Sequence, residues 1–271
     1  MGADIKALKN RIKSVDSSLH LTKAMGLVAS SKIRRANDEM KKSKQYFKAV
    51  NEAMNELCAD GECQKSPYFE VRDAGRTRLI VVAGDRGMAG GYNSNVIKLF
   101  REYPEAEVIA IGKRICDRTG SDFISSETYA YKEAKELSVK LCEDYRQGKF
   151  DKLGMISTKY VSMMVQEAQI RWILPLSKTD SKTSKGMIFE PDAPSVLEAA
   201  VPEYVAAFII AGVRESFASE VAARRMAMDS AEKNAQQMID DLELQYNSAR
   251  QAMITQEITE IVAGSGKRRR R

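Results

Sequence analysis

The chain has 271 residues, 44% hydrophobic and 30% charged, with 43 basic and 37 acidic side chains for a net charge of +6. That composition can bury a core, and the mild basic surplus fits an acidic partner, nucleic acid or an anionic surface about equally well. Cys58, Cys63, Cys116 and Cys142 are too few and scattered for a disulfide scaffold, the start MGADIKALKNRIKS lacks the apolar region of a signal peptide, and no window approaches ~18 consecutive apolar residues. The setting therefore reads as reducing and cytosolic, with no transmembrane segment, and Asp4 and Asp16 argue against a transit peptide.

From Ile5 the chain follows a heptad: Ile5, Leu8, Ile12, Val15, Leu19, Thr22, Gly26, Ala29, Ile33, Ala36, Met40, Ser43, Phe47, Val50, Met54 and Leu57. Steps of three and four alternate throughout, which predicts a coiled-coil helix over 1–58. Ala59 to Arg76, with Gly61, Pro67 and Gly75, is a link. Arg78–Gly84 and Glu107–Gly112 read as buried strands, Phe123–Ala130 as a third, and Leu153–Val161 and Ala168–Ser177 as two more. Helices are predicted at Asn93–Tyr103 and Lys132–Arg146. Alternating strands and helices define an α/β domain over 77–202. Lys178–Gly186 reads as a polar surface loop, and Pro191, Pro194 and Pro202 mark the exit from the domain.

The terminal segment, 203–263, is a second long helix. Ser216 to Val262 has no proline or glycine, and as one helix it spans roughly 70 Å at ~1.5 Å per residue. Its stripe runs Phe217, Val221, Met228, Ala231, Ala235, Met238, Leu242, then Tyr246, Ala249 and Met253 after a one-residue slip near Leu242. Arg224 occupies one position where the stripe should be apolar. The natural partner is the first helix, packed antiparallel. Residues 264–271 (GSGKRRRR) read as a flexible basic tail.

The chemistry-bearing patterns are few. GDRGMAGGYN (Gly84 to Asn93) lies between a strand and a helix, but it fits neither G-x-x-x-x-G-K-[ST] nor G-x-G-x-x-G, so its glycines serve a tight turn before they serve phosphate. His20 is the only histidine, which excludes a two-histidine metal site and a Ser-His-Asp triad. Cys58 and Cys63 read as unpaired thiols. Asp240, Asp241, Glu243, Glu257 and Glu260 read as solvated helix faces. Nothing assembles a catalytic constellation. The first helix is basic but lacks interleaved aromatics for base stacking.

Three blocks resemble the gamma subunit of F-type ATP synthase: TKAMGLVASSK (Thr22–Lys32), GDRGMAGGYN, and SEVAARRMAM through YNSARQAMITQEITEIVAG (Ser219–Gly264). The likeness covers essentially the whole chain. It implies a fold of the α/β class with a long antiparallel coiled coil: paired N- and C-terminal helices and a central Rossmann-like α/β domain. It implies a non-catalytic rotary shaft coupling ion flow to ATP synthesis or hydrolysis, without cofactors or metal of its own. The implied partners are three alpha and three beta subunits, the epsilon subunit and the membrane c-ring, with no direct nucleic acid. The implied location is peripheral, on the cytoplasmic side of a bacterial inner membrane.

Matched motif to motif, Arg250, Gln251 and Thr255 fall where the family contacts a beta-subunit loop. Lys23, Met25 and Arg224 match its coupling segment, and Phe189, Glu190 and Pro191 the segment near the rotor ring. Departures are Ala89, where many relatives carry cysteine; Gly26, expected to soften the first helix; and Ser265 with the KRRRR end, expected to project beyond the apolar bearing that receives the tip. The chain lacks the insert with a cysteine pair of the chloroplast form, so thiol regulation of that kind is not expected. The alternatives are a free-standing coiled-coil protein that binds nucleic acid through its basic helix and tail, and a nucleotide-binding enzyme built on the glycine loop.

Overall fold

The computed structural model describes residues 2–72, 75–178 and 188–268. Helix α1 (Gly2–Ala59) leads through two 3₁₀ turns (Cys63–Lys65, Pro67–Phe69) into β1 (Thr77–Val82), α2 (Tyr92–Phe100), β2 (Glu107–Ile111), α3 (Lys113–Thr119), α4 (Tyr131–Arg146), β3 (Lys152–Tyr160), β4 (Gln166–Leu174) and α5 (Ala193–Arg268). The chain divides into two compact units, residues 1–28 with 227–271, and residues 29–226.

In the larger unit the sheet order is β2-β1-β3-β4. The first three strands are parallel and β4 returns antiparallel, with Met155 opposite Arg171 and Tyr160 opposite Gln166. β1 is buried on both faces, as its TRLIVV run demands. Alternation divides it: Leu79 and Val81 pack with Val96, Ile115 and Ile156, while Ile80 and Val82 join the core containing Leu141, Met155, Leu197, Val205 and Phe208. Phe47 of α1 stands edge-on to Phe208 of α5 at 5.3 Å between centroids, a contact worth about 0.5–1.5 kcal/mol beyond its area. Tyr46 of α1 donates to Glu203 of α5 at 2.8 Å. Since Lys44 reaches Glu215, and Met40 packs near Ala218, the two helices run antiparallel within this unit.

The smaller unit pairs the start of α1 with the end of α5. Val15 and Leu19 pack on Ala235 and Ile239, and Lys23 lies 3.9 Å from Glu232, again antiparallel. The heptad seam of α1 faces inward at Leu19, Gly26, Ala29, Ala36, Met40, Met54 and Leu57, while Leu21, Leu27 and Val28 stay exposed. On α5 the seam differs from the expected stripe. Ile239 is buried and Met238 is exposed, so the two successive four-residue steps fall at Ala231–Ala235–Ile239 and not near Leu242.

Other boundaries also differ. Phe123–Ala130 is no strand: it is a loop held by Asp85. α3, which the sequence reading missed, starts after Gly112 and ends at the left-handed Gly120. α5 begins well before residue 203. Asp192 Oδ1 accepts from Ser195 N at 2.8 Å as its cap, and Pro194 sits in the first turn, where a missing N–H costs nothing. Pro202 lies inside the helix and forfeits one backbone bond. One window of α5 is apolar enough for a bilayer by length and composition, with mean hydropathy 1.7, but 61% of it is buried in the protein. The helix also passes Gly264 to Arg268; residues 269–271 and most of the Lys178–Gly186 loop lie outside the described residues.

All four cysteines are free and buried. Burial pushes Cys58 and Cys63 up to about 11 and Cys142 up to about 12, which keeps these thiols protonated at neutral pH. The folded protein is expected to give no fast reaction with a disulfide reagent at mildly alkaline pH, and all thiols on denaturation. A thiol titrating rapidly in the native protein would contradict this packing.

Candidate functional site

The glycine loop following β1 is built around two acids and an arginine. Gly84, two residues past β1, lies directly against α5: a Cβ on it would lie 2.7 Å from the carboxyl carbon of Glu220. Glu220 is 3% exposed, and burial raises its pKa against the opposing pull of Arg224. Arg224 Nη2 donates to Glu220 Oε1 at 2.5 Å and approaches the carbonyl of Gly87 at 3.3 Å. Asn93 closes the loop, accepting from Gly84 N at 2.9 Å and donating to the Arg86 carbonyl at 3.1 Å. Met88 takes a left-handed φ of 57° at the tip, beside Gly90 at 55°. The glycine at 84 thus sits where a side chain would meet Glu220, while Asn93 and Arg224 engage the loop's own backbone.

Asp85 does the second job. It accepts from Ser125 Oγ at 2.6 Å and from the N–H groups of Ser126 (3.0 Å), Lys113 (3.2 Å) and Glu127 (3.3 Å). Burial alone would raise its pKa, but these bonds outweigh burial and the net shift is downward. A carboxylate depressed in this way stabilises the fold above its unfolded value near ~3.9, and that contribution disappears as pH falls through the lower folded value. Asp85→Asn is expected to cost about 1–2 kcal/mol at neutral pH, the low end because the group is only half-buried, and to flatten the acid limb of stability. Superimposable acid denaturation of variant and parent would refute this role.

The residues singled out by the sequence lie in separate places. Arg250, Gln251 and Thr255 are all exposed on α5 in the smaller unit, and Thr255 Oγ1 donates to the Gln251 carbonyl at 2.9 Å. Lys23 is exposed in the same unit and Met25 is half-buried. Arg224 lies in the larger unit, engaged with the glycine loop. Phe189 is half-buried against the main core, while Glu190 is exposed. Sequence reasoning took Asp85 as a charge that could pair with neighbours, which it does, and gave Glu220 no role; nothing next to Glu220 in the sequence signals its approach to Gly84. Among the described residues no group of three or more His, Cys, Asp or Glu could hold a metal ion.

Two long helices paired antiparallel within each unit, with an α/β sheet in the larger one, place the chain in the class of mixed α/β proteins with long paired helices. The sequence profile described as ATP synthase matches residues 4–266. The ATP synthase gamma chain of Alkaliphilus metalliredigens is 36% identical, covering 98% of this chain and 99% of that one. That of Ruminococcus albus is 38% identical, covering 97% and 98%. The sodium-ion-specific gamma chain of Acetobacterium woodii is 35% identical, covering 98% and 99%. Among solved structures, a chain of the Euglena gracilis mitochondrial ATP synthase matches the fold with a TM-score of 0.70 at 16% identity, covering 98% of this chain and 95% of that one. The chain belongs to the ATP synthase gamma-chain family. It is a non-catalytic subunit, the central-stalk rotor that couples ion flow to ATP synthesis or hydrolysis.

Proposed function

We propose that the paired ends of α1 and α5 act as a coiled coil turning inside a ring of three alpha and three beta subunits, with the α/β body as a Rossmann-like foot toward an epsilon subunit and a membrane c-ring. In this reading residues 1–58 and 203–263 form the shaft, 59–76 the link, 77–202 the foot and 264–271 a basic tail. The assembly places the chain peripherally on the cytoplasmic side of a bacterial inner membrane. The observation that carries the reading is the antiparallel pairing of Leu19 with Ala235 and Ile239, with Arg250, Gln251 and Thr255 exposed farther along α5.

Those three residues serve as the catch on a beta-subunit loop. Lys23, Met25 and Arg224 serve coupling, and Glu190, with Phe189 as its anchor in the core, faces the rotor ring. An exposed arginine and amide on a rigid helix can bond a passing loop and release it, because exposed pairs are individually weak. Small seam residues such as Ala231 and Ala235 let the helices approach closely and keep the shaft slender. Purification of tagged protein from its native membrane is expected to recover alpha, beta, epsilon and c subunits together. Recovery without alpha and beta would overturn the assignment of partners.

A further inference from the structure

Strand β3 outruns its neighbour β1. Their pairing ends at Val81 opposite Ile156, whereas β3 continues beside β4 to Tyr160. Beyond Ile156, one edge of β3 therefore has no strand partner among the described residues, although Ser157 and Thr158 are buried. Buried backbone groups need partners. One turn of α5 supplies them from side chains. Ser216 Oγ accepts from Thr158 N at 2.9 Å, Ser219 Oγ donates to the Thr158 carbonyl at 3.3 Å, and Glu215 Oε1 accepts from Tyr160 N at 3.1 Å. The same Glu215 oxygen accepts from Lys44 Nζ of α1 at 2.8 Å. Ser216 and Ser219 are fully buried and Glu215 is 5% exposed.

We propose that this turn is a weld through which the α/β body passes torque into both helices, with Glu215 as the positioning residue that holds β3, α5 and α1 together. The inference rests on the rotor role. Elsewhere the helices meet the body through apolar side chains such as Met40, Phe47, Val205 and Phe208 and through polar contacts to loops and α4 made by Lys32, Glu203, Arg214 and Arg224, whereas at this turn side chains of α5 bond the backbone of a strand. Apolar burial is non-directional and lets packed faces shift, whereas hydrogen bonds weaken steeply when bent. Sliding α5 along β3 would strand the buried polar groups of Thr158, Glu215, Ser216 and Ser219 at once. Arg171 of β4 strengthens the site electrostatically. Its guanidinium lies 4.5 Å from the Phe208 ring, Nε and Nη2 have no hydrogen-bond partner, and burial lowers its pKa against the opposing pull of Glu215.

The test uses the assembled enzyme. A rod fixed to the foot reports torsional stiffness from its angular fluctuations while the alpha/beta ring is stalled, and vesicles report ions pumped per ATP hydrolysed. Glu215→Ala with Ser216→Ala is expected to lower stiffness and pumping per ATP while hydrolysis continues. Glu215→Gln, which keeps an acceptor for Tyr160 N–H but loses the ion pair with Lys44, is expected to show a smaller loss. It also serves if the double variant does not assemble. Val205→Ala, an apolar core change in the same helix, is the control for lost stability alone and is expected to keep parent stiffness. Parent stiffness in the weld variants, or an equal loss in Val205→Ala, would overturn the proposal. Failure of the enzyme to pump at all in the parent would instead fault the rotor role.

Discussion

Gly112→Ala is expected to cost about 3–5 kcal/mol or to prevent folding of the α/β body. Gly112 joins β2 to α3 at φ 100°, where an L side chain is strained, and a Cβ there would sit 1.9 Å from the carbonyl oxygen of Ala83. The position of a Cβ is fixed by the backbone and its neighbour is a backbone oxygen, so no rotamer change relieves the clash. The damage spreads because the turn is a junction: Gly112 N donates to the Ile124 carbonyl at 2.7 Å, Arg114 N to the Gly84 carbonyl at 3.1 Å, and Lys113 N to Asp85. Urea denaturation should show the loss, and the loop at 123–130 should become protease-sensitive with it. A variant as stable as the parent would mean that the backbone at this turn is not as described.

The second large effect is functional and leaves the fold intact. Arg250→Ala and Gln251→Ala remove exposed side chains from the middle of a continuous helix, so thermal unfolding should shift little. If these side chains bond a beta-subunit loop during turnover, losing a charge-assisted bond costs about 1.5–3 kcal/mol, roughly tenfold or more in coupled rate. Thr255→Ala is expected to be milder, since its hydroxyl is already satisfied within the helix. The check is ATP synthesis in vesicles beside the melting temperature of the same preparations. Full synthesis in Arg250→Ala and Gln251→Ala would move the catch to other residues.

The helices were the most legible part of the sequence, and for a physical reason. A seam of period 3.5 is a local signal, repeated often enough over α1 that the exposed Leu21, Leu27 and Val28 could not disguise it. On α5 the signal weakens where Met238 and Ile239 stand side by side, and only packing against Leu19 decides which turns inward. The misread strand at 123–130 has the same origin. Phe123, Ile124 and Tyr129 favour extended backbone by type, yet the segment is held by Asp85, remote in sequence. Prolines misled in the other direction: Pro194 falls in a first turn that tolerates it, and the packing of Val201 and Val205 carries α5 past Pro202. Of the candidate site, the resemblance names Arg250, Gln251 and Thr255, which are exposed, but the contact of Glu220 with Gly84 and the bonds of Glu215 and Ser216 to β3 join elements far apart in the chain.

The most direct test of a shaft is to watch it turn. With the alpha/beta ring fixed to a surface and a probe attached to the α/β body through an exposed position such as Lys98, added ATP should drive unidirectional rotation, with three pauses per turn if the proposed ring of three beta subunits is right. ATP hydrolysis at full rate with the α/β body stationary, in a complex shown to contain the intact chain, would contradict the account.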